Sequence, residues 1–317
     1  MAERERPRWA IIVHGGAKTI EPGEVEPSRR GCERAVRAGQ AVLEAGGAAT
    51  AAVEAAIRVL EDDETFNAGF GSVVNHHGDV ECDAAIMDGS TLDVGAVAAV
   101  QGVAHPVSLA AALLPEQTVL LAGAGAVRFA RERGVRLVHP ADLVAPGKRE
   151  SHIGSDTVGC VALDTAGHLA AGTSTGGLAG KLPGRVGDSP LPGCGLYAED
   201  GIGAVSVSGT GEEITRVALA SHVMAALAEG SADAAAEAGL ERLGKVEGRG
   251  GVIVIDAQGR IGWAHSSRDF AVAYADDATS VRAFTRHDDD PAVGAGAHAA
   301  GRRDADGHPY PEHLPRD

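Results

Sequence analysis

Aromatic residues are scarce in this chain: Phe, Trp and Tyr make up 3% of its 317 residues. That excludes a core built on ring stacking. With 44% hydrophobic residues, the interior must be packed from Ala, Val, Leu and Ile. Cations are also short, with 28 Lys and Arg against 44 Asp and Glu and a formal net charge of -16. This excludes a broad nucleic-acid surface, which needs clustered cations to displace phosphate counterions. Cysteine is sparse as well. Cys32, Cys82, Cys160 and Cys194 are widely spaced and form no C-x-x-C pair, which fits cytosolic thiols better than a disulfide framework. No apolar run reaches the ~20 residues that span a bilayer. The charged residues 1–8 lack the apolar stretch of a secretory signal. A soluble cytoplasmic protein without membrane or nucleic-acid partners is expected.

What the chain does have is an ordered alternation of strand and helix patterns. Residues 9–13 read as a buried strand ending at His14-Gly15-Gly16. Residues 29–45 read as a helix with Ser28 as N-cap, and residues 49–60 as a second helix. Residues 80–87 and 92–100 form a hairpin pattern around Asp88-Gly89-Ser90. Residues 107–114 and 118–133 read as helices. A polar, Pro-containing stretch, residues 139–156, is the best linker candidate. After it come strand patterns at 157–163 and 168–175, a Gly- and Pro-rich loop at 176–195, a strand at 204–208 and a long amphipathic helix at 212–229. Residues 251–256 and 260–265 form a further hairpin pattern. Residues 286–317, rich in Asp, His, Gly and Pro, read as a disordered tail. Both halves can feed strands into one core, so a layered α/β sandwich fits, with two mainly antiparallel sheets and helices outside.

The chemistry centres on Ser155-Asp156-Thr157-Val158-Gly159. A threonine hydroxyl is a weak nucleophile until a base takes its proton. At a chain terminus the α-amine can be that base, because its pKa lies near ~8. Thr157 would reach that state if its hydroxyl attacked the Asp156 carbonyl and cut the chain between them. The plain alternative is a threonine that merely enters a strand. Arg185 offers a fork for a substrate carboxylate, and Asp188 a partner for an ammonium. Together they make an amino-acid clamp or, equally, an ion pair that pins the loop. Ser208 and the Gly209 amide can donate to an oxyanion, although turn chemistry is the commoner use of such a pair. Other motifs carry little. Gly123-Ala124-Gly125 lacks the third glycine of a dinucleotide fingerprint. His76 and His77 are adjacent and make a poor metal pair. Asp62, Asp63 and Glu64 lack calcium-loop spacing, and Asp288-Asp289-Asp290 reads as a solvated run.

Several longer motifs stand in a fixed order: Val13-His14-Gly15-Gly16-Ala17, Phe66-Asn67-Ala68-Gly69, Asp83-Ala84-Ala85-Ile86-Met87-Asp88-Gly89, Asp156-Thr157-Val158-Gly159, Thr173-Ser174-Thr175-Gly176-Gly177, Gly184-Arg185-Val186-Gly187-Asp188-Ser189-Pro190 and Gly209-Thr210-Gly211-Glu212. With them the chain resembles the plant-type L-asparaginase/isoaspartyl peptidase family of N-terminal-nucleophile hydrolases, from residue 9 to about 275. The resemblance implies an α/β fold, a four-layer αββα sandwich, in a single domain of residues 1–285. It implies self-cleavage between Asp156 and Thr157 into an α chain, 1–156, and a β chain, 157–317, assembled as an (αβ)2 heterotetramer. It implies Thr157 as nucleophile, Thr175 as the second threonine and Asn67 as an active-site asparagine. Ser208 and Gly209 match the oxyanion hole, while Arg185, Asp188 and Gly211 match the substrate contacts. No catalytic cofactor is implied. A structural sodium ion is, held by main-chain carbonyls of Leu60, Glu61, Asp63, Phe66, Ala68 and Phe70. The implied substrates are asparagine and β-aspartyl peptides.

Four positions depart from the family pattern. Ser208 stands where Thr is frequent, Ser155 where His is frequent, and Asp156 where Gly is common. His265-Ser266-Ser267-Arg268 replaces a Phe-Asn-Thr-like stretch. Asp156-Thr157 also suits the related glycosylasparaginases. Against them stand the His14-Gly15-Gly16-Ala17 start and Gly176-Gly177. Ser155 and the altered stretch are what an uncleaved, non-catalytic relative would rest on.

Overall fold

The computed structural model describes residues 8–146 and 156–291. Eight strands form its larger sheet: β1 (Ala10–Lys18), β2 (Cys82–Asp88), β3 (Val94–Val100), β4 (Leu120–Ala122), β5 (Thr157–Leu163), β6 (Leu169–Thr175), β11 (Asp269–Asp276) and β12 (Thr279–Phe284). Their order is β12-β11-β1-β5-β6-β2-β3-β4. Every pairing is antiparallel except β3 with β4. A second sheet of four strands, ordered β10-β9-β8-β7, contains β7 (Leu196–Glu199), β8 (Gly203–Gly209), β9 (Gly250–Asp256) and β10 (Ile261–His265).

Side-chain alternation explains the layering. Along β5, Val158, Cys160 and Ala162 pack beneath α1 (Val25–Glu44) and α2 (Ala49–Glu61), among Val53 and Ile57. Val161 and Leu163 point the other way, into a core shared with Ala204, Ile253 and Ile255 of the second sheet. That sheet turns Val205, Val207, Val252 and Val254 outward, against α6 (Leu219–Glu229) and α7 (Ala232–Gly244). A strand that is apolar on both faces must be covered on both faces. The result is the four-layer αββα sandwich implied by the resemblance.

Several boundaries differ from the sequence reading. β1 runs through His14-Gly15-Gly16 to Lys18 rather than ending there. α1 begins at Val25, so Ser28 lies buried inside it rather than capping it. Pro27 hid that start, yet proline is tolerated in a first helical turn, where its missing N–H is not needed. The helix expected over residues 118–133 divides into the edge strand β4 and α4 (Gly123–Glu132). The helix expected over 212–229 divides into α5 (Gly211–Val217) and α6 at Ala218, which is left-handed with φ 47°. α3 (Pro106–Ala111) is shorter than expected. The described part of the supposed linker includes a 3-10 turn, Pro140–Leu143. The supposed tail is ordered at its start: Asp290 is buried and accepts hydrogen bonds from Trp263 Nε1 at 3.2 Å and Tyr274 OH at 2.7 Å.

Candidate active site

Thr157 opens β5 and Thr175 closes β6, and the two are direct register partners. Asp83 on β2 continues the same row, opposite Thr175. Thr157 and Thr175 therefore meet at one end of the sheet's central strands, where three antiparallel strands begin or end.

The peptide bond between Asp156 and Thr157 is held from several sides. Thr175 Oγ1 donates to the Asp156 carbonyl oxygen at 3.1 Å and accepts from the Gly177 amide at 2.9 Å. The Thr157 amide donates to Ser208 Oγ at 3.3 Å. Ser208 Oγ also accepts from the Ala17 amide at 3.1 Å. With both acceptor positions used, the Ser208 hydroxyl keeps its proton for a further partner. Thr157 Oγ1 lies 2.8 Å from Ser189 Oγ, where either hydroxyl can donate. All of these side chains are buried. Ser189, seen in the sequence only as part of a loop motif, is thus the closest hydroxyl to the candidate nucleophile among the described residues. Ser155 lies outside the described residues.

The Asp156 side chain folds back against β1. A Cβ on Gly16, whose φ is 104°, would stand 2.5 Å from the Asp156 Cβ, so only glycine suits that position in both space and conformation. Lys18 Nζ lies 2.8 Å from Asp156 Oδ2, whereas the buried Oδ1 has no partner among the described residues. Burial works against the Lys18 charge, but Asp156, helped by Glu24, overcomes it and the lysine pKa rises. Nothing in the sequence pattern singled out Lys18.

Arg185 and Asp188 converge on Gly211 from the loop before β7. A Cβ built on Gly211 would sit 2.8 Å from Asp188 Oδ1 and 3.0 Å from Arg185 Nη2. The ion pair considered between Arg185 and Asp188 does not form. Arg185 instead forks onto Glu212, at 2.9 and 2.7 Å. Asp188 Oδ2 is buried without a hydrogen-bond partner among the described residues. Burial pushes the Asp188 carboxyl up to about 7, against the opposing pull of Arg185. A buried carboxyl with a free oxygen, beside an arginine and a glycine opening, is suited to an incoming ammonium.

Asn67 acts through the backbone. Its Nδ2 donates to the Gly177 carbonyl at 2.7 Å, its Oδ1 accepts from Val73 at 2.9 Å, and its carbonyl accepts from Gly176 at 2.8 Å. It thereby ties the loop after α2 to the turn after Thr175. Glu61 does the same from below, accepting from Ser174 Oγ at 2.6 Å and the Val107 amide at 2.9 Å, with His105 Nδ1 at 3.3 Å. Burial raises the Glu61 pKa against the pull of those partners. The sequence reading gave Glu61 only a main-chain role.

The loop after α2 suits a hard cation held by carbonyls. The Glu61 carbonyl accepts from Phe70 at 2.7 Å and the Asp63 carbonyl from Phe66 at 3.1 Å, and each keeps a second lone pair. A Cβ on Gly69 would meet the Glu61 oxygen at 2.7 Å, and one on Gly71 the Phe66 oxygen at 2.7 Å. Among the described residues no cluster of three or more His, Cys, Asp or Glu side chains forms a metal site.

Two histidines brace the backbone around these residues, His14 by a hydrogen bond to the Thr157 main chain. His14 Nε2 pairs with Ser206 Oγ at 2.9 Å, and burial drives the imidazole down to about 3. It is neutral near pH 7. His265, in the altered stretch, accepts from the His287 amide at 3.1 Å and lies 2.9 Å from the Ser267 carbonyl, so that stretch is braced by residues 286–290. All four cysteines are free thiols, and burial raises Cys32 to about 12 and Cys82 to about 11. No helix among the described residues is long and apolar enough to cross a membrane.

The profile of a family described as Asparaginase matches residues 7–152 and 144–285. The chain is similar to an isoaspartyl peptidase/L-asparaginase of Xenopus laevis, 44% identical over 267 residues, covering 78% of this chain and 86% of the relative. A Homo sapiens isoaspartyl peptidase/L-asparaginase is 41% identical over 285 residues, covering 83% and 92%. An isoaspartyl peptidase of Salmonella typhimurium is 40% identical over 301 residues, covering 84% and 96%. With both halves of the sandwich matched, on either side of the Asp156-Thr157 bond, the chain belongs to this asparaginase family.

Proposed function

We propose that this protein hydrolyses the side-chain amide of L-asparagine and of β-aspartyl dipeptides, after cutting its own backbone between Asp156 and Thr157. The observation that carries the reading is the grip on that bond. Thr175 Oγ1 polarises its carbonyl, Ser208 Oγ holds its amide, and Thr157 Oγ1 sits buried against Ser189 Oγ.

In self-cleavage, Thr157 Oγ1 attacks the Asp156 carbonyl carbon and loses its proton. The C–N bond breaks and the nitrogen leaves as the Thr157 amine. Water then hydrolyses the ester, giving the Asp156 carboxylate and a free Thr157 hydroxyl. This yields chains 1–156 and 157–317 of one hydrolase domain, 1–285, paired as an (αβ)2 particle.

In turnover, the Thr157 amine takes the Oγ1 proton as the oxygen attacks the substrate side-chain carbonyl. The Ser208 hydroxyl and Gly209 amide hold the oxyanion. The proton passes to departing ammonia or an amino acid, and water releases aspartate. Arg185 binds the substrate α-carboxylate and Asp188 its α-ammonium, with Gly211 leaving room between them. Sodium at the main-chain oxygens of Leu60, Glu61, Asp63, Phe66, Ala68 and Phe70 would stiffen the loop that carries Asn67. Four unbridged thiols suit a cytoplasmic location.

The test is Thr157→Ala, assayed for chain length and for hydrolysis of asparagine and a β-aspartyl dipeptide. A full-length, inactive variant is expected. Normal turnover by it overturns the reading.

A further inference from the structure

Asp156 places a buried carboxylate on the residue whose carbonyl must become an oxyanion during self-cleavage. Only Cα and Cβ separate the two groups. In so dry a site the charges would repel strongly, because water is not there to screen them. Among the described residues one cation answers this charge: Lys18 Nζ, 2.8 Å from Asp156 Oδ2, with 17% of its side chain exposed and 4% of that of Asp156. Gly16 supplies the space that lets the two meet, since a Cβ there would collide with Asp156 at 2.5 Å. Burial of the pair adds further weight. A carboxylate left alone there would be an uncompensated internal charge.

We infer that Lys18 is a positioning residue for self-cleavage, neutralising and anchoring the Asp156 carboxylate while Thr157 Oγ1 attacks the adjoining carbonyl. The inference rests on the proposed cut before Thr157. Lys18 exchanges no proton and touches no reacting atom. Thr175 Oγ1 remains the donor to the carbonyl oxygen. Once the bond is cut, Asp156 carries two carboxylates.

The test is a time course of chain cleavage by intact mass, on the full-length protein purified rapidly, for wild type, Lys18→Met, Lys18→Arg, Asp156→Asn and the double variant Lys18→Met/Asp156→Asn. Lys18→Met is expected to slow cleavage about tenfold or more, while Lys18→Arg stays near wild type. The double variant is expected to recover the rate, because removing the carboxylate's charge removes the need for a counter-charge. A merely structural lysine would not be rescued in this way. Lys18→Met cleaving at the wild-type rate, or a double variant no faster than Lys18→Met, overturns the inference. A wild-type protein that stays one chain while turning substrate over overturns the underlying reading, and the inference with it.

Discussion

Thr175 and Asp156 meet across the start of β5, the threonine hydroxyl donating to the aspartate carbonyl at 3.1 Å. The same hydroxyl accepts from the Gly177 amide, so its proton is directed at that carbonyl and nowhere else. Thr175→Val keeps the shape and removes the donor. Self-cleavage is expected to slow about a hundredfold, in line with loss of one oxyanion donor, with far-UV circular dichroism unchanged. Cleavage at the wild-type rate would show that the contact is incidental.

Gly211 sits where the substrate clamp meets the start of α5. It starts α5 with ordinary backbone geometry, so alanine suits the helix there. Its Cβ, however, would enter the gap between Asp188 and Arg185. Gly211→Ala is expected to lower Tm modestly, because its Cβ meets the buried Asp188 oxygen, and to lower kcat/KM about tenfold or more, mainly through KM. Unchanged KM would remove the clamp from this place.

Asp188 makes binding depend on pH. Its carboxyl is raised to about 7 from 3.8 by burial, and an ammonium ligand favours the charged form. Below pH 7 the ligand must expel a proton. Affinity for aspartate is therefore expected to rise with pH up to about 7, by at most about tenfold per unit, and to level off above it. Isothermal titration across that range reads it directly, with proton release in the acid half. Asp188→Asn should bind weakly with no such slope.

His14 acts on stability instead. Burial lowers it from 6.5 to about 3, so between those values the unfolded chain binds the proton and the folded chain does not. The folded state loses stability as pH falls below 6.5, and the loss is complete near pH 3. Asp188 has the opposite sign: its raised pKa favours folding at low pH, and that contribution disappears as pH rises from 3.8 towards 7. His14→Gln is expected to flatten the acid decline of Tm, measured from pH 6.5 to 4. An unchanged decline would mean that other groups set it.

Much of this was legible in the sequence because strands report their own burial. The apolar run Val158–Leu163 and its partner after Asp164 gave β5 and β6 almost to the residue, and the threonine at the head of β5 marked the chemistry. Pairings that depend on distant segments left no such mark. β11 sits beside β1 across more than two hundred residues of chain, and nothing local announces it. α7 escaped notice because its small residues, Ala232, Ala235, Ala236 and Gly239, bury without a strong apolar stripe. At the site, Thr157, Arg185 and Asp188 were visible as residue types in motifs. Ser189, Lys18 and the Glu61 side chain were not, because each takes its meaning from a partner distant in sequence: Thr157, Asp156 and Ser174.

The most direct measurement follows intact mass and amidase activity together in freshly made protein. Activity is expected to appear in step with two chains, the second beginning at Thr157. Full turnover while the Asp156–Thr157 bond is still joined would contradict the proposed chemistry.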